Sequence, residues 1–258
     1  MNSDLAGKVA LVCGSTGGIG RTIAEKFARC GADIVVHGRN PKAGEETVRM
    51  IEGCGRRALF LKADLSDFVE VKGMVEEVLG RWGRVDILVA NGAAESPPPS
   101  FFHETEPELF SEYMKMHLFT RLYPVKAILG HMRERRQGKI ILLTSDGGRI
   151  PTPGEALIGA AAAGLVMATK VLAKEFSRWN IRVNAIGITV TTDTPMFMRT
   201  TQLEGSLGKM FRKAAENTPF WPITAEDIAE LALFLAGGGS DRITGQTISV
   251  NGGLSFPG

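Results

Sequence analysis

Lys8-Val9-Ala10-Leu11-Val12-Cys13-Gly14-Ser15-Thr16-Gly17-Gly18-Ile19-Gly20 is the stretch whose reading decides the fold. An apolar run stops at glycines placed at 14, 18 and 20, and a helical pattern begins near Ile19. Strand, tight turn and helix follow one another in that order, and the same alternation continues along the chain. Short apolar runs at 9–13, 33–37, 58–61, 87–90, 140–144, 182–186 and 247–250 read as strands. Helical patterns at about 18–30, 41–52, 67–81, 106–132, 155–178 and 224–236 lie between them. Several of the strands are almost wholly apolar, as strands buried on both faces are. Repeated βαβ units of this kind predict an α/β fold, a Rossmann-type doubly wound parallel sheet.

The length of 258 residues fits one domain, 1–258, without forcing a second. The segment 188–222 breaks the alternation. It is rich in Thr, Met and Phe, carries three prolines, and reads as a mobile segment over a site. With 44% hydrophobic and 22% charged residues, the composition is that of a globular chain with a full core. A net charge of +2, with the basic residues scattered, gives no reason to expect nucleic acid or an anionic membrane as partner. Three cysteines, Cys13, Cys30 and Cys54, with no CxxC spacing, argue against a disulfide framework or a metal site. Residues Met1 to Lys8 show no signal-peptide pattern, and no run of 18 apolar residues suggests a membrane span. The expectation is a cytoplasmic protein acting on a small molecule.

The glycine turn is also the first functional signal. Glycines at 14, 18 and 20 permit a tight turn, close approach of backbone to a pyrophosphate, and contact of helix with sheet. The helix start offers N–H groups and a partial positive charge to phosphate. The second strand ends in His37-Gly38-Arg39-Asn40, where no acidic residue is present to accept a ribose 2′-hydroxyl. Arg39 supplies a guanidinium suited to a 2′-phosphate, which favours NADP over NAD.

Beyond these features, the chain resembles the short-chain dehydrogenase/reductase family over nearly all of its length. Residues 13–20 are similar to the family's TGxxxGxG, with Cys13 in the Thr position. Ala63-Asp64-Leu65-Ser66 looks like the segment after the third strand, whose Asp contacts adenine. Leu88-Val89-Ala90-Asn91-Gly92-Ala93 resembles LVNNAG. Ile181-Arg182-Val183-Asn184-Ala185 and the tail from Ile243 to Gly253 match the last two strands. The resemblance implies a seven-stranded sheet, a homo-tetramer or homo-dimer, and cofactor contacts from Gly14, Ser15, Thr16, Gly18, Ile19, Gly20, Arg39, Asp64, Leu65, Asn91, Gly92 and Ile188.

The departures are as informative. The family places Tyr 13 residues after a Ser that follows the fifth strand, and Lys four residues further on. Ser145 fits the first position, but Ile158 and Ala162 occupy the other two. His117 stands where the family carries a proton-relay Asn, and Ile188-Thr189 replaces a Pro-Gly. The only tyrosines, Tyr113 and Tyr123, fall on the fourth helix, so no shifted Tyr is available near Ser145. Candidate catalytic groups are therefore Ser145, Asp146 and His117. The His has an ordinary pKa near 6.5, suited to acid–base work, although it could equally bond a backbone carbonyl or pack at a subunit contact. Glu155 reads as an acid favourable at a helix start. Small residues at 159–164 leave room for an apolar substrate, with Phe101, Phe102, Met196, Phe197 and Met198 as candidate outer wall. Three functions follow from this pattern. One is an NADP-dependent oxidoreductase acting on a carbonyl or alcohol. The others are a nucleotide-binding pseudoenzyme or partner subunit, and a non-redox lyase or isomerase.

Overall fold

The structure, a computed structural model, describes residues 5–92 and 97–257; Met1 to Asp4 and Ala93 of the LVNNAG-like motif lie outside them. One parallel sheet holds seven strands in the order β3-β2-β1-β4-β5-β6-β7. These are β1 (Val9–Val12), β2 (Asp33–Gly38), β3 (Ala58–Lys62), β4 (Ile87–Ala90), β5 (Gly138–Ser145), β6 (Ile181–Ile188) and β7 (Thr247–Val250). The helices between them are α1 (Gly18–Arg29), α2 (Pro41–Gly53), α3 (Phe68–Trp82), α4 (Phe110–Met114), α5 (Thr120–Arg135), α6 (Ala156–Phe176), α7 (Pro195–Thr201), α8 (Gly205–Glu216) and α9 (Ala225–Ala236). The doubly wound α/β expectation is met.

Strand alternation distributes the core. Val9 and Leu11, with Leu88, Ala90, Ile140 and Leu142, face the layer of α3, α5 and α6. Ala10 and Val12, with Ile87, Val89, Ile141 and Leu143, face the layer of α1 and α9. Both faces are closed, which explains strands with no polar positions to alternate with. Each fully buried Leu or Ile contributes roughly 1.5–3 kcal/mol. Helix α6 and the turn after it, 156–179, are long and apolar enough to cross a membrane by length and composition, with a mean hydropathy of 1.9. The helix packs instead along β5 and β6, burying Ala161, Leu165, Ala173 and Phe176.

Two departures from the sequence reading affect the site. The segment 188–222 is not irregular, since it contains α7 and α8. Pro195 opens α7, and the Thr194 hydroxyl accepts the Phe197 N–H at 3.2 Å, a cap that counters the β-branched composition. In addition, the long fourth helix is interrupted at Lys115–Phe119 by one π turn. Such turns insert a residue and re-aim the side chains around it.

Candidate active site

The strand order reverses between β1 and β4, and a cavity of about 660 Å³ opens at the carboxyl ends of the strands there. Gly14 and Gly18 take φ of +65° and +50°. A β-carbon on Gly14 would run into the Asn91 carbonyl oxygen, and one on Gly20 into that of Gly14. Gly14, Thr16, Gly17, Gly18 and Ile19 line the cavity. Gly17, in the N-cap position of α1, brings no side-chain cap, so the first N–H groups of the helix are left to a ligand. Ser15 and Gly20 do not reach the cavity, against expectation. The Ser15 hydroxyl donates to Val12 O at 2.7 Å and accepts from His37 N–H at 3.1 Å, and its own N–H donates to His37 O. These two residues shape the loop.

His37 carries a role that the sequence reading missed. Gly14 N–H donates to Nδ1 at 3.0 Å, which leaves Nε2 to donate to Ala63 O at 3.0 Å. One imidazole thereby ties the glycine loop to the ends of β2 and β3. Burial pushes its pKa down to about 4, against the Ala63 hydrogen bond, so the ring is neutral. Gly38 has no room for a β-carbon because the Thr16 side chain sits against it. Arg39 is exposed at the cavity edge. Burial would raise the Asp64 carboxyl, but hydrogen bonds from the Ser66 backbone and hydroxyl, with Arg39 and Lys115 nearby, hold it below the usual carboxylate range. Leu65, Asn91, Gly92 and Ile188 complete the wall. Glycine backbone, an anionic Asp and a cation along one cavity form a donor set that could accommodate a dinucleotide.

The other end of the cavity is built differently. Ser145, at the end of β5, accepts the Gly147 N–H at 3.0 Å and faces the cavity. Ile158 and Ala162 line the same wall from α6, 7% and 3% exposed. Asp146 borders the cavity, yet its carboxylate is occupied by Arg149 Nη2 at 2.9 Å, Ser249 Oγ at 2.7 Å and Asn251 Nδ2 at 2.9 Å. That network fastens the turn after β5 to β7, so the acid acts as an anchor.

His117 lies in the π turn, stacked on Tyr113 at 6.3 Å, and lines the cavity. Burial, and after it the Arg121 charge, push its pKa down to about 3. The expected titration near neutrality is therefore not met, and the ring is neutral there. Its buried Nε2 has no hydrogen-bond partner among the described residues.

Arg121 is a further residue that sequence reasoning missed, although an Arg inside an apolar helix was a signal. It is 8% exposed, donates to Met116 O and Thr120 Oγ1, and pairs with no carboxylate among the described residues. Burial lowers its pKa to about 10, leaving a cation on the cavity wall at neutral pH. Of the outer-wall candidates, Met196 and Phe197 line the cavity, whereas Phe101, Phe102 and Met198 do not. Phe102 and Met198 are 61% and 52% exposed, on sides that face solvent. Met210 and Phe211 of α8 also face the cavity.

Comparison with known proteins places this geometry. The family described as enoyl-(acyl carrier protein) reductase matches residues 14–255. The chain is 34% identical to the 3-oxoacyl-[acyl-carrier-protein] reductase FabG of Haemophilus influenzae, covering 97% of this chain and 99% of that protein. It is 32% identical to the cyclohexanol dehydrogenase of Rhodococcus, covering 99% and 98%. Among solved structures, a variant of actinorhodin polyketide ketoreductase with NADPH superposes with a TM-score of 0.88 at 29% identity, covering 96% of this chain and 97% of that one. On the strength of the matched family and these relatives, the chain belongs to the short-chain dehydrogenase/reductase family.

Proposed function

We propose that the protein is an NADP-dependent oxidoreductase that transfers hydride to or from a carbonyl or alcohol carbon, with a non-standard proton-transfer site. The observation that carries this reading is a single cavity joining the glycine cradle to Ser145. Gly14, Thr16, Gly18 and Ile19 would hold the pyrophosphate, Asp64 and Leu65 the adenosine, and Arg39 the 2′-phosphate. Asn91, Gly92 and Ile188 would border the nicotinamide side. When bound, the nicotinamide supplies or accepts hydride. The Ser145 hydroxyl, already accepting from Gly147 N–H, keeps its own hydrogen for a substrate oxygen. Met196, Phe197 and Phe211 favour a substrate with an apolar body.

Ile158 and Ala162 support the second reading, a nucleotide-binding pseudoenzyme or partner subunit. Exposed Met167 and Val171, at 59% and 46%, are consistent with a homo-tetramer or homo-dimer meeting along α6. Cys13, Cys30 and Cys54, none of them in a disulfide, are consistent with a cytoplasmic setting.

The test is calorimetric titration of NADPH and NADH, followed by a panel of ketones and alcohols read at the nicotinamide absorbance. Tight NADPH binding with turnover supports the oxidoreductase. Binding without turnover moves the pseudoenzyme to first place. Product formed without an absorbance change points to a lyase or isomerase. Absence of nucleotide binding in folded protein overturns the proposal.

A further inference from the structure

We propose that Glu155 exchanges the proton with the substrate oxygen, beside Ser145, in place of the hydroxyl that Ile158 lacks; this rests on the oxidoreductase reading above. Ile158 and Ala162 lie four apart on one face of α6, Glu155 stands at the N-cap three residues before Ile158, and all three line the cavity. The carboxyl is therefore one turn before the position where the family carries its Tyr. A β-carbon added to Gly147 would collide with Glu155 Oε2 and stand 3.2 Å from Ser145 Oγ. Carboxyl and hydroxyl thus border the same small volume.

The expected capping role is not what the structure shows. Glu155 occupies the N-cap position of α6 but makes no side-chain cap hydrogen bond, so the helix does not use its carboxyl. Burial pushes that carboxyl up to about 7, with no charged neighbour contributing among the described residues. The ionisable groups on the elements packed around it have other positions or partners. Asp146 pairs with Arg149, and His103 lies 3.7 Å from Glu104. On α8, whose Leu207 packs against Gly154, Lys209 is exposed and Arg212 donates to Thr201 O. The acid also borders a second, more open depression of about 460 Å³ beside Phe102, Pro151 and Pro153. Glu155 therefore borders both the reaction cavity and an outward-facing recess through which solvent can restore its proton.

In the reducing direction, hydride from the reduced nicotinamide dinucleotide bonds to the carbonyl carbon. The C=O π pair moves onto oxygen, which takes the proton of the Glu155 carboxyl. Alcohol, oxidised dinucleotide and Glu155 carboxylate result, and a proton from bulk solvent, relayed by water, re-protonates the carboxylate. Oxidation runs the same exchanges backwards.

The test compares wild type, Glu155→Gln and Glu155→Asp with NADPH and a ketone that the wild type reduces. Glu155→Gln is expected to lower kcat by about 10²-fold or more, with NADPH affinity within threefold of wild type. In wild type, kcat/KM for reduction should be flat below pH about 7 and fall above it, with oxidation following the opposite course. Glu155→Gln should lose that break and Glu155→Asp keep one. Independently of turnover, carboxyl ¹³C NMR should show one Glu signal, absent from Glu155→Gln, with its midpoint near 7. Undiminished turnover by Glu155→Gln, or a Glu155 midpoint in the ordinary range near about 4.3, overturns this proposal alone. A wild type that binds NADPH and reduces no ketone overturns the oxidoreductase reading, and this proposal with it.

Discussion

The two ends of the cavity treat polarity in opposite ways. Around the glycine loop, Ser15, His37 and Ala63 satisfy one another and leave the turn only one shape. Around Ser145, two wall positions that could carry ionisable groups hold Ile158 and Ala162, and the nearest Asp is committed to β7. At the first end, polar groups are spent on positioning backbone; at the second, apolar walls raise the sensitivity of the few that remain. An isolated buried acid or base shifts its pKa because nothing offsets the cost of its charge. On the proposed function, cofactor binding and proton transfer would rest on separate sets of residues, and each could be changed without the other.

The sharpest attempt to break this separation is Gly14→Val. The positive φ alone costs about 1–3 kcal/mol, and the side chain would strike Asn91. Loss of measurable NADPH binding in titration is expected, with Ser145 unaffected in position. The next effect is a gain. Ile158→Tyr combined with Ala162→Lys should raise ketone reduction by about 10²-fold, measured as kcat/KM. No gain in a folded, NADPH-binding variant would show that the two ends differ by more than these positions.

His37→Phe should lower stability by about 1–3 kcal/mol, because Gly14 N–H and Ala63 O are left unpaired; chemical denaturation measures this. The wild-type ring also predicts a pH dependence. Its folded pKa, about 4, lies below the ordinary 6.5, so the unfolded chain binds the proton more readily. Its contribution is full above pH 6.5, is lost as pH falls toward 4, and levels off below that. The smallest effect is Arg39→Ala, expected to weaken NADPH by about 10-fold, or 1.4 kcal/mol, and NADH much less. Equal weakening of both would remove the 2′-phosphate assignment.

The fold was legible because its signals are local. Strands predicted at 87–90 and 247–250 have those same ends in the structure, since apolar runs bounded by turns admit little else. The tight turn at Gly14 and Gly18 was readable for the same reason. Helix α7 announced itself through Thr194-Pro195, a cap and a first-turn proline, but neighbouring Thr and Met residues concealed it. The function of His37 was not readable, because it depends on three chain segments meeting at the strand ends. The burial of Glu155 depends on α8, some fifty residues later in the chain, being folded against the loop before it. Sequence periodicity describes what a residue's own element needs. It does not describe what a distant element covers.

The π turn at Lys115–Phe119 has a practical consequence. Its imidazole, His117, holds a ring nitrogen on the wall of the cavity that has no partner among the described residues. His37, in contrast, has both nitrogens engaged and a single tautomer. The chain has four histidines in all, so a nitrogen-15 spectrum is sparse enough to read directly. The His37 signals should stay fixed when the far end of the cavity fills, while those of His117 should move as soon as an arriving molecule offers its nitrogen a neighbour. The protein carries its own reporter of occupancy, with an internal reference beside it.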